Sequence, residues 1–281
     1  MVHRIGLLLL TFFLLSIDLS AQSVTELMAQ LSHTNPDVQG KAVEQLGELG
    51  DARAVEPILQ LLSDPSSAVR SKAATALGEI GDKRSAESLR KALADDSPEV
   101  RAAVIRALAK LHDSEAIPLI VGRLKEDVQS VRAAATDSLG EMASPDALTP
   151  LIDALSDSDS SVRGTAARHL ETFNDPRAVT ALISSLSDSA LTVRMDAAKS
   201  LGKIGDPSAL PFLANAVEKE SDPLVRTEAA QSIAAQGQKG FEWLASAVRS
   251  EKPSIRAAAA SGLAASVQPG VDVPQCAATF T

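Results

Sequence analysis

The sequence has 281 residues, 45% of them hydrophobic but only 2% aromatic, with no Tyr, one Trp, six Phe and a formal net charge of −9. A core this poor in aromatic bulk has to be filled by Ala, Leu, Val and Ile, which predicts thin layers between closely spaced helices. One Cys excludes an internal disulfide framework and any multi-Cys metal site, and the acidic balance argues against general binding to nucleic acid or anionic lipid.

Residues 1–23 read as an export signal. Arg4 supplies the positive start, residues 5–17 form an uncharged apolar run of 13 residues, and Ser20, Ala21 and Ser23 are small. Cleavage is expected after Ala21, with Ser23 as the second choice, which gives a periplasmic or extracellular product. An uncleaved anchor is the alternative, although spanning a bilayer takes about 20 residues. Cys276 is far from the cleavage region, so a lipid-modified N-terminal Cys is excluded.

The rest of the chain repeats with a period of 31. Leu31, Leu62, Leu93, Leu124, Leu155 and Leu186 keep the period, followed by Val217 and Val248. A second row runs Val38, Val69, Val100, Val131, Val162, Val193, Val225 and Ile255, with one extra residue entering near Leu224. A third runs Leu46, Leu77, Leu108, Leu139, Leu170, Leu201, Ile233 and Leu263. Self-similarity at a fixed period predicts a solenoid, with about eight units over residues 24–267 and a tail at 268–281.

Each unit predicts two helices. In residues 64–81, Asp64 is a candidate N-cap and Pro65 suits the first helical position. Val69, Ala73, Leu77 and Ile80 form an apolar stripe at helical spacing, and Gly81 ends the helix. Asp82 can then cap the next helix. Similar pairs recur as Asn35-Pro36, Ser97-Pro98 and Asp222-Pro223, and as Ser144-Pro145, Asp175-Pro176 and Asp206-Pro207. Pro57, Pro118, Pro150 and Pro211 fall inside first helices and are expected to bend them. No segment alternates like a strand, so the class is all-α.

The segment GDARAVEPILQLLSDPSSAVRSKAATALGEIGD, residues 50–82, resembles HEAT repeats, in particular the short HEAT-like repeats of phycobilisome lyases. The resemblance covers nearly all of the mature chain. It implies a right-handed α-solenoid with first helices on the convex side and second helices on the concave side. Two units depart from the pattern: the third has Ala109 and His112 in place of Gly, and the fifth has Glu171 and Asn174. Their inter-helix turns are expected to differ.

Arg70, Arg101, Arg132, Arg163, Arg194, Arg226 and Arg256 each follow the Val or Ile of the second row. Asp64, Asp95, Asp157 and Asp188 lie six residues before their Arg. The resemblance implies a structural ladder, in which each Arg bonds loop carbonyls or carboxylates from its planar fork; an anion-binding array is the alternative.

Binding is expected on the second helices opposite the apolar stripe, at three, six and ten residues beyond the row Val. The middle row reads Glu44, Thr75, Arg106, Asp137, Arg168, Lys199, Gln231 and Ser261; Lys110 and Lys203 extend it, and His169 lies beside Arg168. Arg106, Lys110, Arg168, Lys199 and Lys203, with Asp137 and His169, make a candidate basic band for an acidic segment of a partner protein or an anionic polymer. The competing reading is an ordinary solvated face.

Catalytic motifs are absent from the sequence. The four His form no HExxH and no paired His-Glu dipeptide, which separates the chain from HEAT-repeat hydroxylases. GxSxG, phosphate-binding Gly loops and CxxCH are absent too, so no cofactor is expected. Phe241 and Trp243 are expected to fill the end of the core, and Cys276 reads as a leftover thiol. The expected function is that of an exported, non-enzymatic scaffold binding another protein through its concave face. The alternatives are a chromophore lyase or assembly factor, disfavoured by the export signal and the lack of an aromatic pocket, and a self-associating protein. The latter is suggested by the Ala-rich last helix, which lacks the polar outer face of a good cap.

Overall fold

The computed structural model describes residues 24–266, in sixteen helices and with no strand among them. The export segment, Cys276 and the tail lie outside these residues. The helices form two-helix repeats, as the period predicts. The chain divides at residues 138 and 139 into two compact units, each treated separately below.

The first unit holds α1 (24–30), α2 (Pro36–Leu49), α3 (Val55–Gln60), α4 (Ser67–Ile80), α5 (Ala86–Ala92), α6 (Pro98–Lys110), α7 (Ile117–Glu126) and most of α8 (Gln129–Met142). Even-numbered helices are the second helices of their repeats, and α2 packs on α4 and α4 on α6. The second unit holds the end of α8, then α9 (Leu148–Ala154), α10 (Ser160–His169), α11 (Pro176–Ser185) and α12 (Leu191–Ile204). It continues with α13 (Leu210–Lys219), α14 (Pro223–Ala234), α15 (Gly237–Ala247) and α16 (Pro253–Ser266), and α10, α12, α14 and α16 pack in succession.

The rows read from the sequence make the core. Leu46, Leu77, Leu108, Leu139, Leu170 and Leu201 are fully buried, as are Val100, Val131, Val162 and Val193. Small residues set the spacing between helices. A Cβ on Gly78 would come within 2.7 Å of the Cα of Ala107, so α4 and α6 approach through that glycine. At the end of the chain Leu244 fills the core instead of Phe241 and Trp243, which are only half-buried.

The first helices differ from expectation. Five begin as short 3-10 turns, at Ala52–Ala54, Lys83–Ser85, Ser114–Ala116, Pro145–Ala147 and Pro207–Ala209, and become α-helical after them. Pro57, Pro118, Pro150 and Pro211 therefore sit in the first turn of α3, α7, α9 and α13, where a missing N–H breaks no α-helical hydrogen bond. The caps are mostly as read: the side chains of Asn35, Asp175 and Asp222 accept N–H bonds at the starts of α2, α11 and α14, and Asp51, Asp82, Ser144 and Asp206 do so for the 3-10 turns. In α4 the N-cap is Ser66, and Asp64 instead accepts from the Ser66 N–H at 2.8 Å, holding the loop before it.

The turns after second helices separate the repeats into two kinds. Gly50, Gly81 and Gly205 end α2, α4 and α12 in the left-handed region, with φ of 64°, 73° and 68°. His112 and Ala143 take the same position with φ of 50° and 47°. The third repeat therefore keeps the turn geometry despite losing its glycine, at a cost a Cβ always brings there. The fifth repeat does change: α10 stops at His169, a 3-10 turn covers Leu170–Thr172, and Phe173 is extended and buried.

Candidate functional site

The arginine ladder is part of the fold. Arg70 donates to Asp95 through Nε at 2.7 Å and Nη2 at 2.8 Å, and its Nη1 reaches the carbonyls of Asp64 and Pro65. Arg163 repeats this with Asp188, at 2.7 and 2.8 Å, and the carbonyls of Asp157 and Ser158. Arg101 pairs with Asp127 and Arg194 with Glu220. Arg132, Arg226 and Arg256 bond loop carbonyls of their own repeats. Each Arg thus joins the loop before its helix, and Arg70, Arg101, Arg163 and Arg194 also reach a carboxylate of the next repeat.

Two of those acids were not in the ladder as read from the sequence. Asp127 lies five residues before Arg132 instead of six, and Glu220 has the right spacing before Arg226 but a longer side chain. In the first repeat Gln39 takes the Arg position and donates to the Leu31 carbonyl and to Asp64. Hydrogen bonding from Arg70, Arg101 and Arg163 holds the carboxyls of Asp95, Asp127 and Asp188 below the ordinary Asp range, against the opposing effect of burial.

The second-helix ridge is exposed as expected, but its charges differ from a basic band. In the first unit Arg106 and Lys110 are exposed on α6. Lys110 lies 3.8 Å from Glu79 on α4, and Lys72 lies 3.0 Å from Glu44 on α2. Asp137, in α8, is half-buried and already engaged. The first-unit ridge therefore carries interleaved charges, with Arg106 having no carboxylate within 4 Å among the described residues.

In the second unit Arg168 and Lys199 are exposed on α10 and α12. Arg168 donates to Thr165 at 3.0 Å, and Lys203 binds Glu171 at 2.6 Å. Asp196 and Glu228 sit half-buried beside these cations. Burial pushes both carboxyls up; Arg168 and Lys199 partly offset this at Asp196, and Lys199 does so at Glu228. The three cations Arg168, Lys199 and Lys203 thus stand among three carboxylates, Glu171, Asp196 and Glu228. Sequence reasoning missed Asp196 and Glu228, three residues beyond the row Val, because it read out only the positions six and ten residues beyond it.

His169 is not on this ridge. Its ring fills the notch over Gly140, where a Cβ would lie 2.0 Å from the His169 Cγ. The residue seven beyond the row Val faces the preceding second helix, and Ala107 holds the same position over Gly78. His169 is a repeat-to-repeat packing residue. Among the described residues no group of His, Cys, Asp and Glu is arranged to hold a metal ion.

These packed helix pairs, with their Arg ladder and interleaved ridge, have a counterpart in a known family. HEAT repeats match residues 24–99, 86–163 and 148–234. The chain belongs to the HEAT-repeat family. Comparison with the curated proteins finds no match. Among solved structures, YibA of Escherichia coli is 22% identical with a TM-score of 0.60, over 88% of this chain and 96% of that one. An engineered protein is 23% identical with a TM-score of 0.57, over 86% and 78%. The complex of CpcE and CpcF of phycocyanin lyase from Nostoc is 20% identical with a TM-score of 0.50, over 85% and 93%. At these identities the likeness to each is one of HEAT-repeat fold.

Proposed function

We propose that this HEAT-repeat chain is an exported, non-enzymatic scaffold that binds another protein along the exposed ridges of its second helices, the side the family places on the concave face. One observation carries this reading. The buried rows repeat with hardly a change, whereas the middle row, exposed except at the half-buried Asp137 and Ser261, runs Glu44, Thr75, Arg106 and Asp137 in the first unit and Arg168, Lys199, Gln231 and Ser261 in the second. Packing explains a repeated residue; variation on an exposed ridge above a constant core gives an extended surface its specificity. Interleaved charges suit a partner segment of patterned charge, with Arg106 and Lys199 matched to its acidic groups.

The apolar run at residues 5–17 followed by small residues supports export. Mass spectrometry of the chain from the extracytoplasmic fraction is expected to show a mature start at Gln22 or Val24; a start at Met1 in the cytosol would count against it. For binding, Arg106, Arg168 and Lys199 are changed together to Glu, and capture from the exporting cell is compared with the unaltered chain. The expected result is loss of a specific partner from a variant that keeps its helical circular dichroism. A partner retained with unchanged salt dependence would remove the ridge from the proposal. Titration with a bilin, read by absorbance, separates this reading from a lyase role: a saturable spectral shift would favour the lyase.

A further inference from the structure

Repeats provide their own controls, since equivalent positions show what the fold alone requires. Three equivalent grooves lie between the ends of consecutive first helices. One lies between α3 and α5, walled by Leu59 and Leu62; one between α9 and α11, walled by Ile152 and Leu155; and one between α11 and α13, walled by Ile183 and Leu186. The last has a volume of about 440 Å³, within the range that takes a small ligand or a large side chain.

One wall position gives the third groove an aromatic side chain that the other two lack. Ser88 and Ala181 occupy that position in the other two, and Phe212 occupies it here, 48% exposed. The next residue at the 31-residue period is Trp243 on α15, the single Trp of the chain, and it is half-exposed. In a protein with 2% aromatic residues, two consecutive first helices thus present an aromatic side chain where the preceding ones carry Pro57, Ser88, Leu119, Pro150 and Ala181. Exposed aromatics at groove walls are the residue types that anchor partner proteins.

The charges of this groove are selective. Asp188 is held by Arg163, and Glu220 by Arg194. Lys219 is exposed and has no ion-pair or hydrogen-bond partner among the described residues. The cation remaining at the rim is thus Lys219, next to an apolar wall.

We propose that the first-helix face of α11 to α15 docks an extended peptide segment of a partner protein, with an apolar side chain against Phe212 and Trp243 and a carboxylate on Lys219. This surface is separate from the second-helix ridge and does not depend on it, so the chain would hold two partner segments on opposite layers of its repeats.

Trp243 allows a direct test on the full chain, with the acidic peptide Ac-Glu-Leu-Leu-Glu-NH2 and the basic peptide Ac-Lys-Leu-Leu-Lys-NH2 as probes. The acidic peptide is expected to change Trp243 emission saturably, and the basic one at least about tenfold more weakly. Phe212→Ser, which installs the residue of the α3/α5 groove, and Lys219→Glu are each expected to weaken the acidic peptide about tenfold with circular dichroism unchanged. Arg106→Glu on the ridge is expected to leave it unaltered, which distinguishes failure here from failure of the ridge reading. No saturable change, equal binding of both peptides, or full binding by Phe212→Ser would overturn the proposal. So would sedimentation as a dimer that Phe212→Ser dissociates, because a second copy would then be the occupant.

Discussion

The loop-edge arginines and the second-helix ridge carry similar charges to opposite ends. Each ladder Arg bonds the loop of its own repeat, and in Arg70, Arg101 and Arg163 the fork meets two loop carbonyls and a carboxylate of the next repeat. On the ridge Arg168 makes one side-chain bond to Thr165, and Lys199 stands between two carboxyls that burial has made reluctant to ionise. A charge that recurs with the period and bonds the loop of its own repeat belongs to the fold. A charge that appears in one repeat, exposed and incompletely satisfied, is available to something else. Arg alone, as a residue type, does not separate the two; period and partners together do.

The largest effect expected is from breaking the ladder. Arg163→Ala removes four hydrogen bonds and leaves Asp188 largely buried without its partner, so unfolding should become easier by about 2–3 kcal/mol. Arg106→Ala on the ridge should change it by less than about 0.5 kcal/mol. Chemical denaturation of both variants checks the contrast, and equal losses would erase it. The ladder also sets acid sensitivity. Asp95, Asp127 and Asp188 have folded-state values below their unfolded ones, so their stabilisation is present above the unfolded Asp value and is lost as pH falls through the folded values. The midpoint of thermal unfolding should therefore drop steeply below about pH 4, and less so in Arg163→Ala.

A second contrast lies between the repeats that end in glycine and those that do not. His112 and Ala143 hold a left-handed conformation that Gly50, Gly81 and Gly205 adopt without a Cβ. His112→Gly and Ala143→Gly should each stabilise the chain by about 1 kcal/mol, raising the thermal midpoint by about 2–4 °C apiece. Gly81→Ala should do the reverse. If His112→Gly destabilised, the imidazole would be making a contact whose value exceeds the backbone strain.

The repeat, the all-α class, the buried rows and the Arg positions could be read from the sequence because each is written many times over at one period. What could not be read were features written once. The sequence shows Pro57 or Pro150 inside a helix but not the 3-10 turn before it, since that depends on how the preceding Asp or Ser caps the chain. Ala143 does not announce positive φ, because its neighbours force the turn that glycine takes elsewhere. For the ridge, exposure of Arg106, Lys110, Arg168, Lys199 and Lys203 followed from helical spacing. The interleaving of Asp196 and Glu228 did not, because it depends on how neighbouring helices bring different rows together. His169 was misplaced for the same reason: adjacency to Arg168 along the chain puts it about 100° away around the helix, over Gly140.

The smallest effect sharpens the comparison by its sign. Burial raises the carboxyls of Asp196 and Glu228, so the folded chain holds their protons more tightly than the unfolded chain does. Stability from these two is greatest at low pH and declines as pH rises from the unfolded value through the folded one, opposite to the ladder acids. Asp196→Asn and Glu228→Gln should therefore stabilise slightly at pH 7, by about 0.5 kcal/mol or less given partial solvent screening, and have no effect near pH 2. Thermal unfolding across that range would show the difference between variant and parent growing with pH. A difference that shrank with pH would mean the two carboxylates are stabilised by Lys199 as ladder acids are by Arg, and the ridge would then belong to the fold after all.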